Sequence, residues 1–324
     1  MCEQRLSTDA GWLGVAARAT GLDPASRRIV AYRLAAAALF SGLASAAAAD
    51  LTKLRCEYRD NPLGIDAVKP RLSWVIGEAN SDISTPTSPV PRGQRQTAYQ
   101  ILVASSQELL KKNQGDLWDS GKVASDQSIQ VEYAGKPLES RMCCHWKARV
   151  WLDDGMAPAW SQPAMWTMGL LKPGDWQGKW IGLDRHDGSP AAVDPEQRRL
   201  PARYLRRDFA VDKGIARATA YVCGLGLFEL QLNGRKVGDH LLDPGLTQYD
   251  KRALYVTFDV TRQLHAGSNT LGVILGNGRY YAMRTSVPFA MHNFGFPKLR
   301  LQLEVDFQDG TRQTIITDEM CSRV

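Results

Sequence analysis

Between residues 51 and 317 the chain is written in short runs in which apolar and polar positions alternate. The clearest is 299–307, where Leu299, Leu301, Leu303, Val305 and Phe307 take every second place and Arg300, Gln302, Glu304 and Asp306 fill the gaps. Side chains on a strand point alternately to opposite faces, so this period gives one face for a core and one for solvent. Similar patterning predicts strands at 71–76, 98–104, 128–133, 144–152 and 164–167, then at 204–211, 217–221, 228–232, 235–237, 256–260, 271–275 and 311–317. Within 144–152, Trp146, Ala148 and Val150 share one side while His145, Lys147 and Arg149 take the other. A short helix or helical turn is expected at 105–113. Asn233-Gly234, set between alternating segments, predicts a hairpin, because both residues tolerate the positive φ of a type I′ turn. Asp309-Gly310 predicts another turn. Residues 77–93, rich in Ser, Pro, Asp and Asn, carry neither period and read as a surface loop.

Lys172-Pro173-Gly174-Asp175 breaks any regular element and divides the strands into two groups. The predicted fold class is all-β: two consecutive β-sandwiches at 51–170 and 203–324, joined by a linker at 171–202. The second has the pattern of a jelly roll, two sheets with their apolar faces together. In the linker, Trp176 and Trp180 are expected to pin the two sandwiches to each other, since large aromatics contribute burial wherever they can be covered. A length of 324 residues suits two domains once a leader is set aside.

That leader is residues 1–49. Arg27, Arg28 and Arg33 precede an Ala/Leu-rich run from Leu34 that ends in small residues at Ala49, the pattern of a secretion signal cleaved there. The run is shorter than the ~20 apolar residues of a membrane span. A periplasmic or secreted protein with no stable span is therefore expected.

Net charge is +6, and the surplus is dispersed among acidic neighbours without aromatic interleaving, which argues against nucleic acid as a partner. Past the leader five cysteines remain, Cys56, Cys143, Cys144, Cys223 and Cys321. An odd number cannot all pair internally, Cys143 and Cys144 point to opposite faces of one strand, and no zinc spacing occurs, so buried free thiols are expected. Phosphate-loop, metalloprotease and nucleophile-elbow motifs are missing from the sequence, and the five His are scattered. Gly224-Leu225-Gly226 and Gly276-Asn277-Gly278 lack the third glycine of a dinucleotide site. The adjacent acids Asp153-Asp154 and Asp318-Glu319 read as turn residues, not as the separated carboxyl pair that inverting glycoside cleavage requires.

Binding chemistry is better represented. Asp243, Tyr249, Asp250, Asn277, Arg279, Tyr280 and Tyr281 flank strand ends and offer the carboxylate, amide, guanidinium and aromatic groups that a pyranose ring can use. The competing account is that Asp243-Pro244-Gly245 and Asn277-Gly278 form turns while the tyrosines fill the core or an interface.

Several motifs occur in a telling order: Asn61-Pro62-Leu63-Gly64-Ile65-Asp66, Pro70-Arg71-Leu72-Ser73-Trp74, Gln96-Thr97-Ala98-Tyr99-Gln100, Leu117-Trp118-Asp119-Ser120-Gly121 and Ala159-Trp160-Ser161. Val237-Gly238-Asp239, Asp243-Pro244-Gly245, Tyr249-Asp250-Lys251-Arg252 and Leu275-Gly276-Asn277-Gly278-Arg279-Tyr280 follow. The series resembles the front of bacterial α-L-rhamnosidases. The resemblance implies a fibronectin type III-like first sandwich, which the strand spacing also suits, then the N-terminal jelly-roll sandwich of that family. It implies a catalytic (α/α)6 barrel further along than Val324, so no catalytic residue is assigned here and the chain alone is expected to be inactive. Rhamnose-containing glycosides or polysaccharides, and the barrel itself, are the implied partners. No cofactor is expected beyond calcium, for which the resemblance makes Asp243 and Asn277 candidates. After Asp318-Glu319 the family continues with Ser-Trp where this chain has Met320-Cys321, which predicts a C-terminally truncated second sandwich with an unpaired edge. The rival readings are a stand-alone rhamnose-type carbohydrate-binding protein and a fibronectin-like protein-interaction module.

Overall fold

The computed structural model describes residues 51–77, 95–153, 159–184, 200–281 and 293–323. The expected secretion signal, most of the 77–93 loop, Asp154, His186 and His292 lie outside the described residues.

The first sandwich comprises β1 (Leu51–Cys56), β2 (Arg71–Ile76), β3 (Gln96–Ala104), α1 (Gln107–Lys111), β4 (Trp118–Asp119), β5 (Val131–Glu132), β6 (Cys143–Leu152) and β7 (Ala164–Thr167). Its antiparallel sheets run β1-β2-β5 and β4-β3-β6-β7. Trp74, Trp146, Trp166 and Tyr133 fill the space between them, each almost wholly buried. The polar tip of Trp74 explains why Gln96 is buried with it: Trp74 Nε1 donates to Gln96 Oε1 at 3.0 Å, and Gln96 Nε2 donates onward to the carbonyls of Ser125 and Gln127. In α1 the Ser106 hydroxyl caps the first turn by accepting from the Leu109 N–H, and Leu110 is buried.

Two strands of this sandwich were not marked by alternation. In β1 a bulge between Thr52 and Arg55, with Lys53 at φ 49°, breaks the period of two. In β4 only two residues pair. The strand expected at 128–133 shortens to Val131–Glu132. The polar side of β6 is also less exposed than its pattern suggests. Lys147 is buried, donating from Nζ to Asn113 Oδ1 at 2.5 Å, and the Arg149 guanidinium lies over the rings of Trp151 and Trp160.

The second sandwich adds β8 (Ile181–Gly182), β9 (Arg203–Val211), β10 (Ile215–Leu225), β11 (Leu227–Leu232), β12 (Arg235–Lys236), β13 (Val256–Asp259), β14 (Gly267–Gly276), β15 (Lys298–Phe307), β16 (Arg312–Ile316) and β17 (Ser322–Arg323). One sheet is ordered β13-β10-β15-β16, with β8 pairing on β15, and the other β12-β11-β14-β9-β17. The apolar positions of β10, β11, β14 and β15 meet between the sheets. Asn233 and Gly234, at φ 52° and 75°, make the expected two-residue turn between β11 and β12. At the edge expected to be bare, Ser322 and Arg323 pair with Arg206 and Leu205 of β9.

Gln302 and Glu304, polar positions of β15 expected to face water, are 0% and 3% exposed. Thr219, Tyr221 and Cys223, on the corresponding side of β10, are buried too. The reason is that the linker and the first sandwich cover this outer face. Trp176 meets Tyr255 edge-on at 5.3 Å and Tyr221 at 6.5 Å, as expected of an anchor. Trp180 does not act as one: it is 43% exposed, because backbone contacts hold its neighbours, with Gly178 against Leu301 and Lys179 N–H donating to the Thr317 carbonyl.

Arg141, just before β6, joins the two halves. Its Nε donates to both Glu304 carboxylate oxygens at 2.8 and 2.7 Å, and its Nη1 donates to Asp175 at 2.9 Å. Gln302 completes the network, accepting from the Gln177 N–H and donating to Glu304. Close approach needs small residues here. A Cβ on Gly64, whose φ is +70°, would lie 2.1 Å from Thr257 Oγ1, and one on Gly169 would lie 2.0 Å from the Tyr255 hydroxyl.

Candidate functional site

The seven residues singled out from the sequence gather on loops of the second sandwich but do not share one role. Tyr249 and Tyr280 meet edge-on with ring centroids 5.2 Å apart, and Phe294 completes the group, stacking on Tyr280 at 5.8 Å. Burial raises the pKa of the Tyr249 hydroxyl, reinforced by Cys223 and opposed by the nearby charge of Arg279, which is itself exposed. Asp250 is exposed within the 248–252 turn, closed by the Lys251 and Arg252 N–H groups on the Gln248 carbonyl. These four form an aromatic and charged surface.

The other three are used internally. Tyr281 is 7% exposed and stacks on Phe296. Asn277 Nδ2 donates to the Leu200 carbonyl at 3.0 Å, while its Oδ1 is buried with no hydrogen-bond partner. Asp243 accepts on its backbone carbonyl from the Phe228 N–H, its carboxylate lies 2.8 Å from His240 Nδ1, and its peptide bond to Pro244 is cis. Among the described residues no three His, Cys, Asp or Glu side chains gather as a metal cluster. The adjacent acids at the end of the second sandwich are also engaged: Asp318 pairs with Arg207 and Glu319 with Lys179.

The described cysteines carry no disulfide. Burial pushes the Cys144 and Cys223 thiols up to about 12, which keeps them protonated and unreactive at neutral pH.

A cleft of about 660 Å3 lies where the first sandwich meets the outer face of β10 and β13. None of its polar residues was singled out from the sequence. Leu63, Met165 and Cys143 supply an apolar wall, and Arg217, Asp259 and Gln263 are set around it. The signal for Arg217 was weak, a single cation in a strand whose cover could not be foreseen.

What the geometry defines is a class: an all-β pair of sandwiches joined by a partly buried ionic junction. Two family models match it in succession. Residues 51–172 match the Rha78A-like N-terminal immunoglobulin domain, and residues 213–322 match the α-L-rhamnosidase N-terminal domain. Immunoglobulin and fibronectin type III domains share the sandwich architecture, so the expected class of the first domain stands. An α-L-rhamnosidase of Formosa agariphila is 35% identical over 291 residues, covering 83% of this chain and 29% of that protein. One from an Alteromonas species is 35% identical, with 80% and 27% covered. Among solved structures, the α-L-rhamnosidase from Dictyoglumus thermophilum aligns with a TM-score of 0.72 at 35% identity, covering 86% of this chain and 30% of that one. The Streptomyces avermitilis α-L-rhamnosidase complexed with L-rhamnose aligns with a TM-score of 0.71 at 26% identity, covering 86% and 41%. The chain belongs, as an N-terminal portion, to the bacterial α-L-rhamnosidase family. It spans under a third of the length of the Formosa relative.

Proposed function

We propose that this chain is the accessory, substrate-recognising front of an exported enzyme that removes terminal α-L-rhamnosyl groups from glycosides or polysaccharides, and that it does not cleave them alone. The observation that carries the reading is the match of both sandwiches, in order, to the N-terminal portions of rhamnosidases. In this reading Tyr249, Asp250, Arg279 and Tyr280 face sugar at the loop end of the second sandwich, where two half-buried rings lie beside an exposed acid and an exposed base.

The surface beside them supports an accessory role. Leu241, Leu242, Leu246 and Leu254, all on the loop between β12 and β13, are 79%, 75%, 67% and 43% exposed. That is an unusual run of uncovered leucines. It suits contact with the remaining two-thirds or more of a relative-length enzyme. The test is a chimaera in which residues 51–323 replace the matching portion of the Streptomyces rhamnosidase. Rhamnoside hydrolysis within a few-fold of the parent is expected, with activity lost when the four leucines become serines. A folded chimaera without activity contradicts the reading.

A further inference from the structure

Arg217 of β10 is partly buried in the cleft yet makes no ion pair among the described residues. The surrounding acids explain why. Its cross-strand neighbour Asp306 is held by Arg312 Nε at 2.6 Å, and Glu304 is taken by Arg141 and Arg312. Asp259 lines the same cleft but accepts both of its hydrogen bonds, from the Thr261 N–H and hydroxyl, on Oδ1. Gln263 lines the cleft as well, with its Oε1 closed off from solvent. A guanidinium that lines a crevice and makes no ion pair there favours an anion, since charge-assisted hydrogen bonds are the strong ones. A carboxylate with one oxygen unused favours hydroxyl donors. The apolar wall of Leu63, Met165 and Cys143 suits a ring face.

We propose that this cleft is a binding site for a sugar acid, a pyranose bearing a carboxylate, such as a uronate unit. The carboxylate pairs with Arg217 and with the exposed Arg262, and ring hydroxyls donate to Asp259. The volume of about 660 Å3 accommodates one or two sugar rings. The site is carried by the junction of the two sandwiches and does not depend on the proposed hydrolytic function.

The test is calorimetric titration of the full chain with D-galacturonate, with D-galactose, L-rhamnose and acetate as comparisons. Galacturonate is expected to bind more tightly than all three. Arg217→Gln is expected to weaken it at least about tenfold with no change in thermal midpoint. Should Arg217→Gln fail to fold, Arg262→Gln, at an exposed position, is expected to weaken galacturonate and leave galactose unchanged. Equal affinity for galactose or acetate, an unchanged galacturonate affinity in a folded Arg217→Gln, or no galacturonate binding overturns the proposal.

Discussion

Arg141 is the residue on which most of the junction converges. It satisfies a Glu304 side chain that is only 4% exposed, and reaches Asp175 with its other nitrogens. Removing one partner of a buried pair leaves an uncompensated charge, which costs far more than the pair contributes net. Arg312 and Gln302 still reach Glu304 after the change, at 3.3 and 2.6 Å, so the cost lies at the low end of the roughly 3–5 kcal/mol that breaking a buried pair takes. Arg141→Ala is expected to lower unfolding free energy by about 3 kcal/mol, read by urea denaturation. Arg141→Lys recovers only part of this, because an ammonium cannot reproduce the guanidinium's fork. Nothing in the sequence marked Arg141. Its importance comes from a partner 163 residues away, whereas Asn233-Gly234 was legible because a type I′ turn is a purely local requirement.

Among elements, β15 shows where reading by period succeeds and where it stops. Its apolar side was assigned correctly, since Leu299 to Phe307 point into the core as alternation requires. Its polar side was assigned to water and is buried instead, because alternation reports which residues share a face and not what covers it. The strands that went unmarked, β1, β4, β8 and β17, are those where a bulge or a two-residue length leaves no period to see. Of the candidate site, Tyr249 and Tyr280 were brought together, whereas Tyr281 and Asn277 went to internal packing and backbone support. The linker adds a pH dependence. Asp175 is pushed up by burial, but hydrogen bonds from the Ser140 hydroxyl, the Lys172 N–H and Arg141 outweigh this and hold it below its ordinary 3.8. A lowered folded-state pKa contributes stability that is complete above the unfolded value and lost as pH falls through the folded one. The junction is therefore expected to weaken below about pH 4. In acid titrations of stability, Asp175→Asn should flatten the slope in that window while leaving the neutral-to-alkaline range unchanged in shape.

At the scale of the molecule, the two sandwiches are joined by a partly buried ionic network, a Trp176 anchor and glycines that permit contact. They should consequently melt together. Scanning calorimetry is expected to show one transition for the described body, and Arg141→Ala to separate it into two; two independent transitions in the unmodified chain would mean the junction carries little energy. The same cover over the outer face of β10 creates the cleft around Arg217, so the cleft and the coupling have one structural origin. No helix among the described residues is long and apolar enough to cross a membrane. The central claim is that these sandwiches recognise rhamnoside-bearing material and leave its cleavage to another part of a longer enzyme. Incubating the purified chain with an aryl α-L-rhamnoside tests it most directly. The account predicts release of aryl alcohol no faster than in buffer; release that scales with the amount of chain and follows it through successive purification steps would contradict it.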